Sequence, residues 1–266
     1  MTAHSKRVNP GGDSPSKPVA PLRNVQLFSE LLIRLQDRPA HLGESGWGVF
    51  SGPSGWGKTT AAEYAALRSE AIYLECGSTG TASTLVDGLM AELNMMPMRA
   101  GVARKVQEII KVLAYDPQPI MLDEADHLVK KSIIDVIREI SDKSGCAVIL
   151  IGEVHLPDRL LPFERAHNRV LEWVEAEGCN LSDARALAKL FSQNIEIADD
   201  LLARVVSVTD GTVRRVVTNI DRIVQWAKRT GKQKVDLASW DQEIYSGLPP
   251  RAALRQAKIR AARGAK

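Results

Sequence analysis

Gly52-Pro53-Ser54-Gly55-Trp56-Gly57-Lys58-Thr59 has the spacing G-x-x-x-x-G-K-[ST], follows an apolar strand-like run at Trp47, Val49 and Phe50, and leads into a helix-like stretch. These residue types in this order hold phosphates. The glycines let the backbone curl so that successive N–H groups point inward, Lys58 reaches the β and γ oxygens, and the Thr59 hydroxyl ligates Mg²⁺; Gly52 to Thr60 is the expected contact set. Further along, Ile120-Met121-Leu122-Asp123-Glu124 reads as a buried strand ending in two acids. Asp123 is expected to hold the Mg²⁺ shell through water, and Glu124 to polarise an attacking water. A glycine-rich turn and an unrelated exposed acidic pair would be the bland alternative. Two motifs in the right order argue against it.

The elements that must position these residues follow from the pattern along the chain. Val25 to Leu35 is an amphipathic helix, the strand at 47–51 runs into the loop, and a helix follows from Thr59 to about Arg68. Ala71 to Cys76 is a second strand, with helices near 83–94 and 101–114 separated by a Pro- and Gly-containing turn. The acidic strand at 119–123 precedes a helix at about 131–143 closed by Gly145. Cys146 to Ile151 is a near-continuous apolar run, as expected of a parallel strand covered on both faces, and Val170 to Val174 supplies a fifth strand. Alternation of strands with helices means right-handed crossovers and a doubly wound parallel α/β sheet.

From about residue 180 the pattern turns to helix only. Ser182 is expected to cap Ala184 to Ser192, Asp199 or Asp200 a helix through Val206, Thr212 one reaching Lys228, and Asp236 a last one through Tyr245. The expected organisation is therefore a disordered segment at 1–21, an α/β ATP-binding domain at 22–178, a helical lid at 179–246 and a basic tail at 247–266.

With 266 residues and 29.1 kDa the chain has core enough to fold without staples, and room for one nucleotide-binding domain. Cys76, Cys146 and Cys179 form no C-x-x-C pair and read as small core residues in a reducing compartment. Residues 1–21 lack an apolar signal region, and no later stretch has the length to span a bilayer, so a cytoplasmic protein is expected. Net charge is only +3, but after Glu243 the chain carries Arg251, Arg255, Lys258, Arg260, Arg263 and Lys266 with no acid among them. Such a tail binds phosphate backbones or an acidic partner, or is simply a solvated terminus.

The phosphate loop, the Asp-Glu pair ending the third strand, a further strand before the C-terminal helices, and Gly211-Thr-Val-Arg214-Arg215 at a helix start together resemble an AAA+ ATPase over roughly residues 22 to 245. Within that superfamily the loop, the Asp-Glu-Ala-Asp-His run and the Leu-Ile-Gly ending the next strand are most similar to the phage Mu transposition proteins of the MuB type, akin to TnsC. The resemblance implies an ATP- and Mg²⁺-dependent ATPase, and the departure from the family pattern at Glu153 implies slow turnover. The resemblance further implies binding of duplex DNA without sequence preference, assembly into a ring or helical filament, choice of target DNA and activation of a transposase. In that case the setting is the bacterial host cytoplasm.

Family roles carry over position by position. Lys58, Thr59, Asp123 and Glu124 match directly, and Arg214 matches the lid arginine that touches phosphate in cis. Trp56, at a free position of the loop, covers the nucleotide at most. The polar residue after the fourth strand falls at Glu153, where a carboxylate cannot donate a hydrogen bond unless protonated; His155 is the alternative. Arg169 occupies the usual place of an arginine finger, with Arg165 second, and a surface ion pair is the competing reading for either. For DNA, Arg99, Arg104, Lys105, Lys130 and Lys131 lie in loops that face DNA in the family geometry, though a solvated helix face has the same pattern. A helicase-loader-like or other protein-remodelling ATPase and a slow nucleotide switch are the alternative functions.

Overall fold

The computed structural model describes residues 20–37, 46–130, 133–192 and 194–249. The basic tail from Arg251, most of the segment expected to be disordered, and Lys131 lie outside the described residues. So does the Lys130 side chain.

Five strands form one sheet: β1 (Trp47–Ser51), β2 (Ile72–Glu75), β3 (Ile120–Asp123), β4 (Val148–Gly152) and β5 (Val170–Glu175), in the order β2-β3-β4-β1-β5. Every pairing is parallel. β1, β3 and β4 are buried along their whole length, which is why they read as unbroken apolar runs. Helices cover both faces. On one side α1 (Arg23–Gln36) and α2 (Lys58–Ala66) pack, with Phe28 meeting Phe50 edge-on at 5.2 Å. On the other lie α3 (Ala82–Glu92), α4 (Val102–Tyr115) and α6 (Ile134–Ser144), with Ile109, Leu113 and Ile137 fully buried against β3 and β4 residues. Gly145 ends α6 in the left-handed region at φ 76°, as expected. A short helix absent from the sequence expectation, α5 (Asp126–Lys130), intervenes, so α6 starts later than 131. Two further short helices, α7 (Leu156–Leu160) and α8 (Glu164–His167), link β4 to β5.

The C-terminal region is α9 (Leu181–Phe191), α10 (Asp199–Thr209) and α11 (Val213–Thr230), whose apolar faces join the core under α1 through Leu187, Leu201, Val205, Ile220 and Ile223. It is not helix only: β6 (Glu196–Ile197) and β7 (Lys234–Val235) pair in parallel. The caps also differ from expectation. Asn180, not Ser182, caps α9 by a reciprocal box with Asp183, and Ala198 precedes α10, leaving Asp199 and Asp200 in the first turn, where the helix dipole favours them. Asp236 opens no helix. Its carboxylate accepts from Ser239 N–H at 2.8 Å while Ser239 Oγ accepts from Asp236 N–H at 3.1 Å, a local turn that outcompetes helix formation. Cys76, Cys146 and Cys179 are free and buried, their thiols pushed up to about 12, 11 and 12 by burial. No helix of the described residues is long and apolar enough to cross a membrane.

Candidate nucleotide site

Sheet order sets the site. β1 and β3 flank β4, so the loop after β1, the acids ending β3 and the residue after β4 converge at the carboxyl edge of the sheet, where ligands of such sheets bind. A cleft of about 220 Å³ there is lined by Ser54, Gly55, Gly57, Lys58, Thr59 and Thr60 from the loop and α2, by Asp123 and Glu124, by Gly152 and Glu153, and by Val213 and Arg214 of α11.

Gly55 and Gly57 sit at φ 81° and 87°, a region closed to most side chains, and this turns the loop back toward α2. Lys58 Nζ donates to the Gly52 and Pro53 carbonyls at 2.7 and 3.0 Å, which holds the ammonium over the loop. Burial lowers its pKa, offset in turn by Asp123, Glu153, Glu124 and Asp126. Asp123 is 3% exposed, with Oδ1 accepting from Glu124 N–H at 2.8 Å and Oδ2 from the Tyr73 hydroxyl at 3.0 Å. Burial, then Asp123, pushes the Tyr73 phenol above its ordinary range. Glu124 takes a left-handed backbone, φ 54°, which turns its carboxyl out of the strand into the cleft; desolvation there, then Asp123, raises its pKa. The Thr59 hydroxyl and the Asp123 carboxylate are hard oxygen donors in one cleft, a set that fits Mg²⁺.

The Glu153 N–H donates to Asp126 Oδ2 at 2.7 Å, and Arg159 Nη1 donates to Asp126 Oδ1 at 3.0 Å. Asp126, 4% exposed, thus fixes the chain at Glu153 and joins it to α7. A Cβ on Gly152 would overlap that carboxylate, so a side chain there requires the Asp126 hydrogen bonds to shift. Exposed His155 faces Asp158 at 3.7 Å and does not line the cleft. Arg214 lines the cleft, and its backbone N–H donates to the Gly55 carbonyl at 3.3 Å, tying the start of α11 to the loop. Arg215 turns away, its guanidinium filling the space where a side chain on Gly247 would be.

Trp56 does not line the cleft; half-buried, its ring packs into the core and lies beside Gly178. Its carbonyl accepts from Asn24 Nδ2 at 2.8 Å, and the same amide bridges Glu177, donating to its carbonyl and accepting from its N–H, each at 2.8 Å. Asn24 therefore staples α1 to the phosphate loop and to the connection between β5 and α9. Neither Asn24, Asp126 nor Tyr73 was singled out from sequence. Asp126 stands in the Asp-Glu-Ala-Asp run, and Asn24 is a polar residue at the head of an apolar face.

Arg169 is engaged by Asp142 of α6, through Nε and through Nη2 at 2.6 Å, and Asp142 also accepts from Arg138 at 3.0 Å. Arg165, on α8, is exposed. Among the expected DNA contacts Lys105 is corrected: packing of α3 on α4 leaves it 8% exposed with Nζ 2.6 Å from Asp87, whose carboxyl the lysine's hydrogen bond holds below the usual range. Arg99 and Arg104 are exposed.

Residues 41–160 match the family of the AAA domain (AAA_22). No curated protein matches the sequence. The structure is similar to the Aeropyrum pernix ORC1 protein in complex with DNA, with TM-score 0.62 and 16% identity over 83% of this chain and 64% of that one. It is also similar to the A. pernix ORC2 protein in its ADPNP-ADP complexes, with TM-score 0.58 and 14% identity over 83% and 67%. For Cdc6p from Pyrobaculum aerophilum the values are 0.58, 16%, 84% and 66%. The chain thus spans about two thirds of the length of these structures, and at such identity the likeness shows the fold alone. The family match covers less than half of the chain, and the fold is that of the AAA+ P-loop NTPases.

Proposed function

We propose that this ATPase assembles on duplex DNA with ATP, chooses target DNA and activates a transposase, acting in a bacterial host's cytoplasm. The observation that carries the ATPase part is the convergence of Lys58, Thr59, Asp123, Glu124 and Arg214 on one cleft. The resemblance to MuB-type proteins and the likeness to an ORC1 structure in complex with DNA support the DNA part.

In this reading the loop N–H groups and Lys58 bind the β- and γ-phosphates, and Thr59 and Asp123 would hold Mg²⁺, which when bound would supply positive charge to the phosphates. Glu124, turned into the cleft, takes the proton of the attacking water. Arg214 meets the phosphates from the lid side in cis. Because Asp142 occupies Arg169, the arginine offered to a neighbouring subunit's nucleotide is Arg165. Glu153 cannot donate to the attacking water while ionised, which supports slow turnover.

DNA contacts fall to Arg99, Arg104, Lys130, Lys131 and the tail from Arg251. Loss of Lys105 to Asp87 thins that set and favours, as a second reading, a remodeller of the helicase-loader kind whose substrate is a protein. Sedimentation with and without ATP and duplex DNA tests the choice. Assembly that requires both, with affinity falling steeply in salt and little sequence preference, is the expected result; each lost phosphate contact lowers the log–log slope by about 0.9. A flat salt dependence removes DNA from the partners and moves the remodeller to first place.

A further inference from the structure

Tyr73 is used by none of the motifs, yet it touches the residue on which metal binding turns. β2 and β3 pair in register with Tyr73 opposite Met121 and Glu75 opposite Asp123. Residues 121 and 123 share a face of the sheet, so the Tyr73 ring need only reach along its own face by two residues, about 6.6 Å, to bring its hydroxyl to Asp123. It does so at 3.0 Å on Oδ2, while the Glu124 N–H holds Oδ1 at 2.8 Å. One donor on each oxygen fixes the carboxylate's rotation. Asp123 itself is buried, so water does little of that work.

From this the geometry assigns Tyr73 as a positioning residue for the metal-binding carboxylate: its phenol O–H presets the Asp123 plane so that the remaining lone pairs meet the waters of a bound Mg²⁺. A neutral donor suits the task. It orders the carboxylate without cancelling its charge, as a lysine or arginine there would, and an ionised carboxylate has about four lone-pair sites, so two protein donors leave others for metal-bound water. Glu124 benefits at the same stroke, because the N–H that Asp123 accepts is its own and fixes the strained turn that aims its side chain.

The inference rests on the ATP–Mg²⁺ reading of the cleft. Tyr73→Phe keeps the ring that packs on the core and deletes only the donor. The experiment titrates a fluorescent ATP analogue into wild type and variant at a series of Mg²⁺ concentrations and again in EDTA. We expect the half-saturating Mg²⁺ for nucleotide binding to rise about tenfold, with affinity in EDTA unchanged. An unchanged half-saturating Mg²⁺ beside a Mg²⁺-dependent wild type overturns the assignment alone. So does an equal loss in EDTA, which would place the effect in the loop. A wild type whose binding ignores Mg²⁺ overturns the ATP–Mg²⁺ reading and the assignment together. In an Asp123→Asn background, adding Tyr73→Phe should change nothing further; an additional loss there means that Tyr73 does not act through Asp123.

Discussion

Asn24→Ala removes one side chain and unfastens three segments. Its amide makes three hydrogen bonds of 2.8 Å, two donated to the carbonyls of Trp56 and Glu177 and one accepted from the Glu177 N–H, at 5% exposure. Truncation leaves two carbonyls and one N–H without partners. Each such group costs about 1–3 kcal/mol when buried, less where water can follow the truncated side chain, so the sum is about 3 kcal/mol. For a chain of this size that is a drop of about 6–12 °C in melting temperature. Thermal unfolding followed by circular dichroism, with a denaturant series beside it, measures the loss. Asn24→Asp is the control: it keeps an acceptor for Glu177 but aims a carboxylate at two carbonyls, and should be at least as damaging. ATP affinity should fall as well, since the Trp56 carbonyl lies inside the phosphate loop. A loss below about 1 kcal/mol would refute the staple, and a destabilised variant with wild-type ATP affinity would refute its link to the loop.

Lys58→Ala should abolish ATP binding in a nucleotide titration, because the loop loses its ammonium; normal affinity would sink the phosphate-loop assignment. Glu124→Gln should bind ATP normally and hydrolyse it at least about a hundredfold more slowly in a phosphate-release assay, the low end of a general base's contribution. In wild type the raised Glu124 pKa places the acid limb of the rate above the ordinary glutamate range: activity is full while Glu124 is ionised and falls as pH drops through that raised value. An acid limb at an unshifted glutamate value would contradict this. Gly152→Ala should cost about 1–3 kcal/mol in a denaturant melt, because its Cβ would overlap the Asp126 carboxylate; a neutral change would show that the carboxylate moves aside freely.

What the sequence revealed and what it withheld divide along physical lines. The five strands and the phosphate loop were legible because unbroken apolar runs and glycines at fixed spacing are local signals. Caps were less so: Asn180, Ser182 and Asp183 all suit a helix start, and only the reciprocal bonds between Asn180 and Asp183 decide among them. The turn at Asp236 and Ser239 reads as a helix start for the same reason. Charges were legible only as types. In sequence Lys105 and Arg169 are cations whose partners are unnamed, and the acids that claim them, Asp87 and Asp142, lie on helices brought near only by the fold. Tyr73, Asn24 and Asp126 were missed because their partners are distant in sequence or are backbone groups without residue identity.

The 18 residues of α11, at 1.5 Å each, make a rod about 27 Å long. One end is pinned to the phosphate loop by the Arg214 N–H on Gly55; the other carries Trp226, against which Trp240 packs at 5.5 Å. A rod of this length converts angle into distance. Tilting it by about 10° about the pinned end displaces the far end by about 5 Å, so a small change of angle set at the loop becomes a displacement of several ångströms at Trp226. The converse holds as well: whatever grips residues near Trp226 sets the angle at which the helix meets the phosphate loop.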